Sequence, residues 1–194
     1  MNIKVDIYLI LSILILCFFH QAQPFLIFYF LVILHELAHI LMAISLKIKL
    51  EEISFLPFGV NAKFEFEGQR KKEIVIALAG PIFSLGMAFL FPQYKIQNLF
   101  IAIINLLPIY PLDGGRILKN GMILKWGITR ASNIYQQIVR TFIILLMIIN
   151  IVLLVFQKNY RFLFVSFYII QLAGEEIKKD KIRIQMKELL NLDI

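Results

Sequence analysis

Residues 24–46 read "PFLIFYFLVILHELAHILMAISL", an apolar run of membrane-spanning length with two histidines and a glutamate near its middle. A bilayer crossing takes about 20 mostly apolar residues. Within lipid the backbone must satisfy its own hydrogen bonds, so a single run of this kind has to be a helix. An ionisable side chain at the centre of such a helix costs about 2.5–3.5 kcal/mol even on the gentler insertion scale. One lone histidine would be explained by packing and a hydrogen bond. Three polar groups in five consecutive positions are not.

The rest of the chain has the same character. It is 60% hydrophobic and 17% charged over 194 residues, against roughly 45–50% and about a quarter in soluble domains. Six stretches are apolar enough to span or partly span: about 5–20, 24–46, 73–92, 96–112, 137–156 and 161–174. Lys4 and the run "IYLILSILILCFF" have the composition of a signal peptide, but "HQAQP" is a poor cleavage site, so this segment reads as a retained first span. Between the second and third spans, "KIKLEEISFLPFGVNAKFEFEGQRKKE" alternates polar and apolar residues as short strands around a turn do. The expectation is an all-α polytopic membrane protein of about six transmembrane helices. A short membrane-associated β-hairpin interrupts it between helices 2 and 3. Residues 1–174 would form the membrane domain and residues 175–194 a basic cytoplasmic tail helix, either on the anionic leaflet or solvated.

The net charge of +7 follows this topology. Sixteen of the twenty Lys and Arg residues fall in segments 1–4, 47–72, 113–136 and 175–194, and the intervening loops hold three, Lys95, Lys158 and Arg161. By the positive-inside rule both termini face the cytoplasm. A charge so distributed points to lipid and not to nucleic acid. The single Cys17 excludes a disulfide framework and a cysteine zinc site.

"HELAH" (35–39) has the HExxH pattern. His35 and His39 are four residues apart and share one helix face, with Glu36 beside them. Imidazole nitrogens suit zinc, and a carboxylate next to the metal can handle a proton. A catalytic zinc usually takes three protein ligands. The metzincin continuation is missing, because Met42 and Ser45 stand where a glycine and a third histidine would be, and residues 59–64 offer no glutamate. Asp113 remains, in "NLLPIYPLDGGR". There Pro108 and Pro111 remove helix hydrogen bonds, and Gly114–Gly115 permits a sharp turn. The fourth helix is therefore expected to break close to its cytoplasmic end. Broken backbone at membrane depth survives only where protein or a wet cavity surrounds it.

These paired motifs resemble the site-2 protease family of intramembrane zinc metalloproteases. "HELAH", "LPFG" (56–59), "AGP" (79–81), "NLLPIYPLDGG" (105–115) and "EE" (175–176) before a basic tail are similar, in order and spacing, to its stage IV sporulation protein FB branch. The resemblance implies His35, His39 and Asp113 as Zn2+ ligands and Glu36 as general base. It implies that Asn105 polarises the scissile carbonyl or holds substrate, and that Gly80, Pro81 and Ser84 pack near the active site. It further implies cleavage of a sporulation sigma-factor precursor in the mother-cell membrane around the forespore, with membrane inhibitor or regulator proteins as candidate partners. Longer members carry a cytoplasmic CBS domain that responds to ATP; the form expected here is one without it.

A helical substrate hides its scissile bond, so it must be drawn out into an extended strand. The strand-like 47–68 segment would supply an edge for that strand, with Phe58, Gly59, Val60 and Asn61 as candidate substrate-binding residues. Two other readings compete. A non-catalytic zinc-binding scaffold would bind membrane segments without cutting them and would not need Glu36. A metal transporter would need polar residues along several spans, which these spans lack.

Overall fold

A computed structural model describes residues 2–7, 9, 10, 17, 22–56, 59–66, 68–157, 170, 171, 174 and 178. The chain divides into two compact units, residues 1–106 and 107–194.

The first unit is organised by helix α1 (Ala22–Ser45) and helix α2 (Arg70–Leu90). Helix α1 is apolar nearly all round, and Leu26, Phe30, Leu37, Leu41 and Ile44 are exposed on it, as expected of a surface that meets lipid. Helix α2 opens with Glu73 in its first turn, where the helix dipole favours negative charge. Its buried residues, Ile76, Ala77, Gly80, Pro81, Ser84 and Ala88, recur at three and four and so form one stripe. That stripe is small and partly polar, which lets a neighbouring helix come close.

Three strands form a sheet in the order β1–β2–β3: β1 (Asn2–Val5), β2 (Lys49–Leu56) and β3 (Gly59–Glu65). Strand β1 runs parallel to β2, Val5 opposite Phe55; β2 and β3 are antiparallel, Ile53 opposite Ala62. Ala43 and Ile48, at the end of α1 and the start of β2, pack with Ile76 of α2 in a small core flanked by Phe64 and Phe66. A 3-10 turn (Pro92–Tyr94) leads into helix α3 (Lys95–Asn105).

In the second unit helix α4 (Asp113–Trp126) follows the proline loop. It stops at Gly127, whose φ of 74° is cheap only for glycine. Helix α5 (Ile128–Gln157) buries Ala131, Ser132, Tyr135, Gln136 and Val139 on one stripe. Ile109, Tyr135 and Val139 form the core of this unit.

Several expectations change. Residues 2–5 are a strand paired with β2, so the first apolar stretch does not start a helix at residue 5; most of 5–20 lies outside the described residues. The 96–112 stretch breaks as expected, though already before the prolines: α3 ends at Asn105, and Asp113 begins α4. With 11 residues α3 is about 16 Å long, roughly half a hydrocarbon core. Segment 113–136, read as an inside loop, is helical, and the 137–156 span begins at Ile128. Lys119, counted among the inside-loop charges, is buried, its Nζ 5.1 Å and 5.5 Å from the ring centres of Tyr110 and Tyr135. Cation–π attraction explains how a buried ammonium is tolerated there. Among the described residues three helices are long and apolar enough to cross a membrane: Gln23–Ser45, Arg70–Leu90 and Ile128–Val152. The 161–174 span and the 175–194 tail lie almost entirely outside the described residues.

Candidate metal centre

Helical spacing brings His35 and His39 onto one face of α1, and both side chains are buried. Their Nε2 atoms are 3.3 Å apart. Two nitrogens bound tetrahedrally at about 2.0–2.1 Å from one zinc ion would lie about 3.3–3.4 Å apart. The far side of each ring is already engaged. His39 Nδ1 is 2.7 Å from the Ile76 carbonyl, and His35 Nδ1 is 2.9 Å from Ser84 Oγ. A carbonyl only accepts, so Nδ1 of neutral His39 carries the proton and its Nε2 presents a lone pair. Helix α2 thus orients both rings from behind, in the way metal-ligating histidines are usually held.

Gly80 completes this pocket. A Cβ built there would come within 2.6 Å of His35 Nε2 and closer still to His39 Nε2. No side chain larger than hydrogen fits without displacing the imidazoles. Glu36, next in the chain to His35, points to the sheet: its Oε1 accepts the Ala62 N–H of β3 at 2.7 Å. Strand β3 is the outer strand of the sheet. Since Ala62 gives its N–H to Glu36, Val60 and Phe64, two residues to either side, direct theirs away from β2 as well.

In the second unit Asp113 is buried at the start of α4, where a carboxylate meets the positive end of the helix dipole. Arg116 Nη1 lies 3.7 Å from its Oδ1. The preceding loop is held on two sides. Tyr110 N–H donates to the Tyr135 hydroxyl at 2.7 Å. Gly115 lies so close to the backbone of Ile109 and Tyr110 that a Cβ would be 2.6 Å from the Ile109 oxygen. His35 and His39 thus lie together in the first unit and Asp113 is buried in the second, and all three carry atoms that suit a metal ion.

The other expected site residues are placed as follows. Asn105 is the last residue of α3, and its Nδ2 donates to the Ile101 carbonyl at 3.0 Å. Gly59, Val60 and Asn61 begin β3. Phe58 lies outside the described residues. Sequence reasoning missed the Ile76 carbonyl, the Ala62 N–H, Tyr135 and Tyr29. The first two are backbone groups with no signature. Tyr29 had one, since it stands two helical turns before Glu36 on the same face.

His35, Glu36, His39 and Asp113 all fall within the stretch that a family comparison matches. The model of peptidase family M50 matches residues 23–95 and 91–150, about two thirds of the sequence. The chain belongs to peptidase family M50. Stage IV sporulation protein FB of Bacillus subtilis is 33% identical to it over 104 residues, 45% of this chain and 36% of that protein. Zinc metalloprotease MJ0392 of Methanocaldococcus jannaschii is 25% identical over 190 residues, 89% of this chain and 55% of that protein. The M50 chain thus spans between about a third and just over half of the length of these curated relatives. The solved site-2 protease from Methanocaldococcus jannaschii superposes with a TM-score of 0.64 at 25% identity, covering 90% of each chain. Membership of this family, with three helices able to cross a bilayer, makes the M50 chain an integral membrane protein.

Proposed function

We propose that the chain is an intramembrane zinc metallopeptidase that cleaves a membrane-associated protein near the cytoplasmic leaflet. The observation that carries this reading is the imidazole pair, with Nε2 atoms 3.3 Å apart and both Nδ1 atoms held from behind. His35, His39 and Asp113 are the proposed zinc ligands. When bound, the ion supplies Lewis acidity, worth on the order of several kcal/mol of charge stabilisation during amide hydrolysis.

Glu36 is the proposed general base. It takes the proton of the attacking water and returns it to the leaving amine, a role worth about 10²–10⁴ in rate. One N–H of the Asn105 amide bonds its own helix, and the second is the proposed donor to the scissile carbonyl. Phe58, Gly59, Val60 and Asn61 are the proposed contacts of an extended substrate pairing with β3, which stands at the edge of the sheet.

The distribution of Lys and Arg supports a cytoplasmic placement of both termini, with residues 1–174 as the catalytic domain and 175–194 as a tail at the leaflet. Similarity to a stage IV sporulation protein supports the finer reading: a sigma-factor pro-sequence as substrate, in the mother-cell membrane around the forespore, under the control of membrane regulators.

Co-expression with a membrane-associated sigma-factor precursor tests the reading. Wild type should cut it. Glu36→Gln should keep zinc near one per chain and lose at least about 10² in cleavage rate. Full cleavage by Glu36→Gln removes the base from the mechanism. Zinc binding without cleavage by wild type would turn the assignment to a non-catalytic scaffold.

A further inference from the structure

Strands β2 and β3 are fastened to helix α1 at two points. The Tyr29 hydroxyl lies 3.0 Å from the Leu56 carbonyl oxygen and 3.3 Å from that of Gly59, so it spans the facing ends of the two paired strands. Seven residues later, Glu36 accepts the Ala62 N–H. Seven helical residues are two turns, which brings Tyr29 and Glu36 within about 20° of each other around the axis and about 10.5 Å apart along it. Gly59 and Ala62 are three strand residues apart, about 10 Å. The two separations match, so β3 runs beside α1 in one defined register. Val32 lies between the fastening points on the helix, and a Cβ at Gly59 would be 3.7 Å from its Cγ1.

We infer that Tyr29 is a positioning residue that fixes the register of edge strand β3 against the HELAH helix, and so selects which bond of a substrate strand is cut. This inference rests on the proteolytic reading above. A peptide paired with β3 inherits the position of β3. A slip of one residue moves the strand about 3.3 Å and turns the wrong backbone groups toward Glu36; a slip of two restores their direction. The hydroxyl is the tie at the Gly59 end of β3; without it, the Glu36 contact and the packing of Phe64 beside Ala43 and Ile48 at the other end are left to oppose such slips. The Tyr29 ring is buried and stacks on Phe25 with centroids 5.7 Å apart, so removing the hydroxyl leaves the ring seated.

The test compares the full chain, wild type and Tyr29→Phe, by two readouts. Hydrogen exchange followed by mass spectrometry should show residues 59–66 exchanging about 2- to 10-fold faster in Tyr29→Phe, the factor expected for one lost hydrogen bond. Exchange in residues 70–90 and zinc content should not change. Mass analysis of products from the membrane-associated precursor should show one main cut with wild type and added cuts two residues away with Tyr29→Phe. Phe25→Leu disturbs the stacked ring, keeps the hydroxyl, and should retain the single cut. Unchanged exchange in 59–66 overturns the fastening role, whatever the activity. Faster exchange with an unmoved cut overturns the selection of the bond, as do spread cuts in Phe25→Leu. A wild type that binds zinc and shows the exchange difference but cuts nothing refutes the proteolytic reading, and the selection role with it.

Discussion

Position 80 carries a hydrogen where any other residue would place a carbon against both imidazoles. Gly80→Ala is therefore expected to lose stoichiometric zinc while keeping its helical circular dichroism; full zinc occupancy in that variant would show that the rings bind metal from another direction. Ser84 acts on His35 from behind. Losing such an orienting group typically weakens metal binding 10–100-fold, so Ser84→Ala should raise the zinc dissociation constant by about that factor in a competition titration with a coloured chelator. Threonine at 84 keeps a hydroxyl and should recover part of the loss. At this scale much was legible in the sequence. His35, Glu36 and His39 follow from residue type and spacing, because four residues on a helix bring side chains onto one face. The Ile76 carbonyl and the Ala62 N–H were not legible, since every residue offers the same backbone groups.

Among the elements, the sheet departs most from a reading of periodicity. The apolar content of residues 2–5 continues into a longer apolar run, yet these residues pair with β2 as a strand. The tie is electrostatic as well as backbone-mediated: Lys4 Nζ lies 2.6 Å and Lys63 Nζ 3.2 Å from Glu52 oxygens. The Lys4 ammonium foremost, then the Ser54 hydroxyl and Lys63, hold the Glu52 carboxyl down to about 2 from its ordinary 4.5. A carboxylate with a depressed folded-state pKa contributes fully above its unfolded value and loses that contribution as acid protonates it. Exchange protection of residues 2–5 should thus be constant above about pH 5 and fall between about pH 4.5 and 2. Glu52→Gln should show the low protection at neutral pH and little further acid dependence; an unaltered acid profile would mean that Glu52 does not tie β1. The helix break at Pro108 and Pro111 was legible, because both lack the N–H a continuing helix needs. That a new helix starts at Asp113 was not. Its sequence, "DGGRILKNGMILKW", mixes glycine and charge in a way that reads as loop, and burial against the loop and α5 overrides that weak local preference.

For the molecule as a whole, the proposed metal should act as a ligand of the folded state. Anything that binds only the native chain stabilises it, by about 2.7 kcal/mol at a hundredfold excess over the dissociation constant. Zinc should raise the thermal midpoint of the detergent-solubilised protein, and a chelator should reverse the rise. His39→Ala and Asp113→Ala should each erase it; a persisting zinc shift in either would remove that residue from the ligand set. Alone, the sequence determined that the chain lives in a membrane, that one helix carries a paired-histidine motif, and that an aspartate follows a broken helix. Those conclusions depend on side-chain identity, period and proline, all of which act locally. Tertiary structure alone decided that α2 supports both histidines, that only glycine fits at 80, that residues 2–5 join the sheet, and that β3 lies in register along α1. Each of these depends on which backbone or side-chain atoms meet across long stretches of chain, and packing sets that.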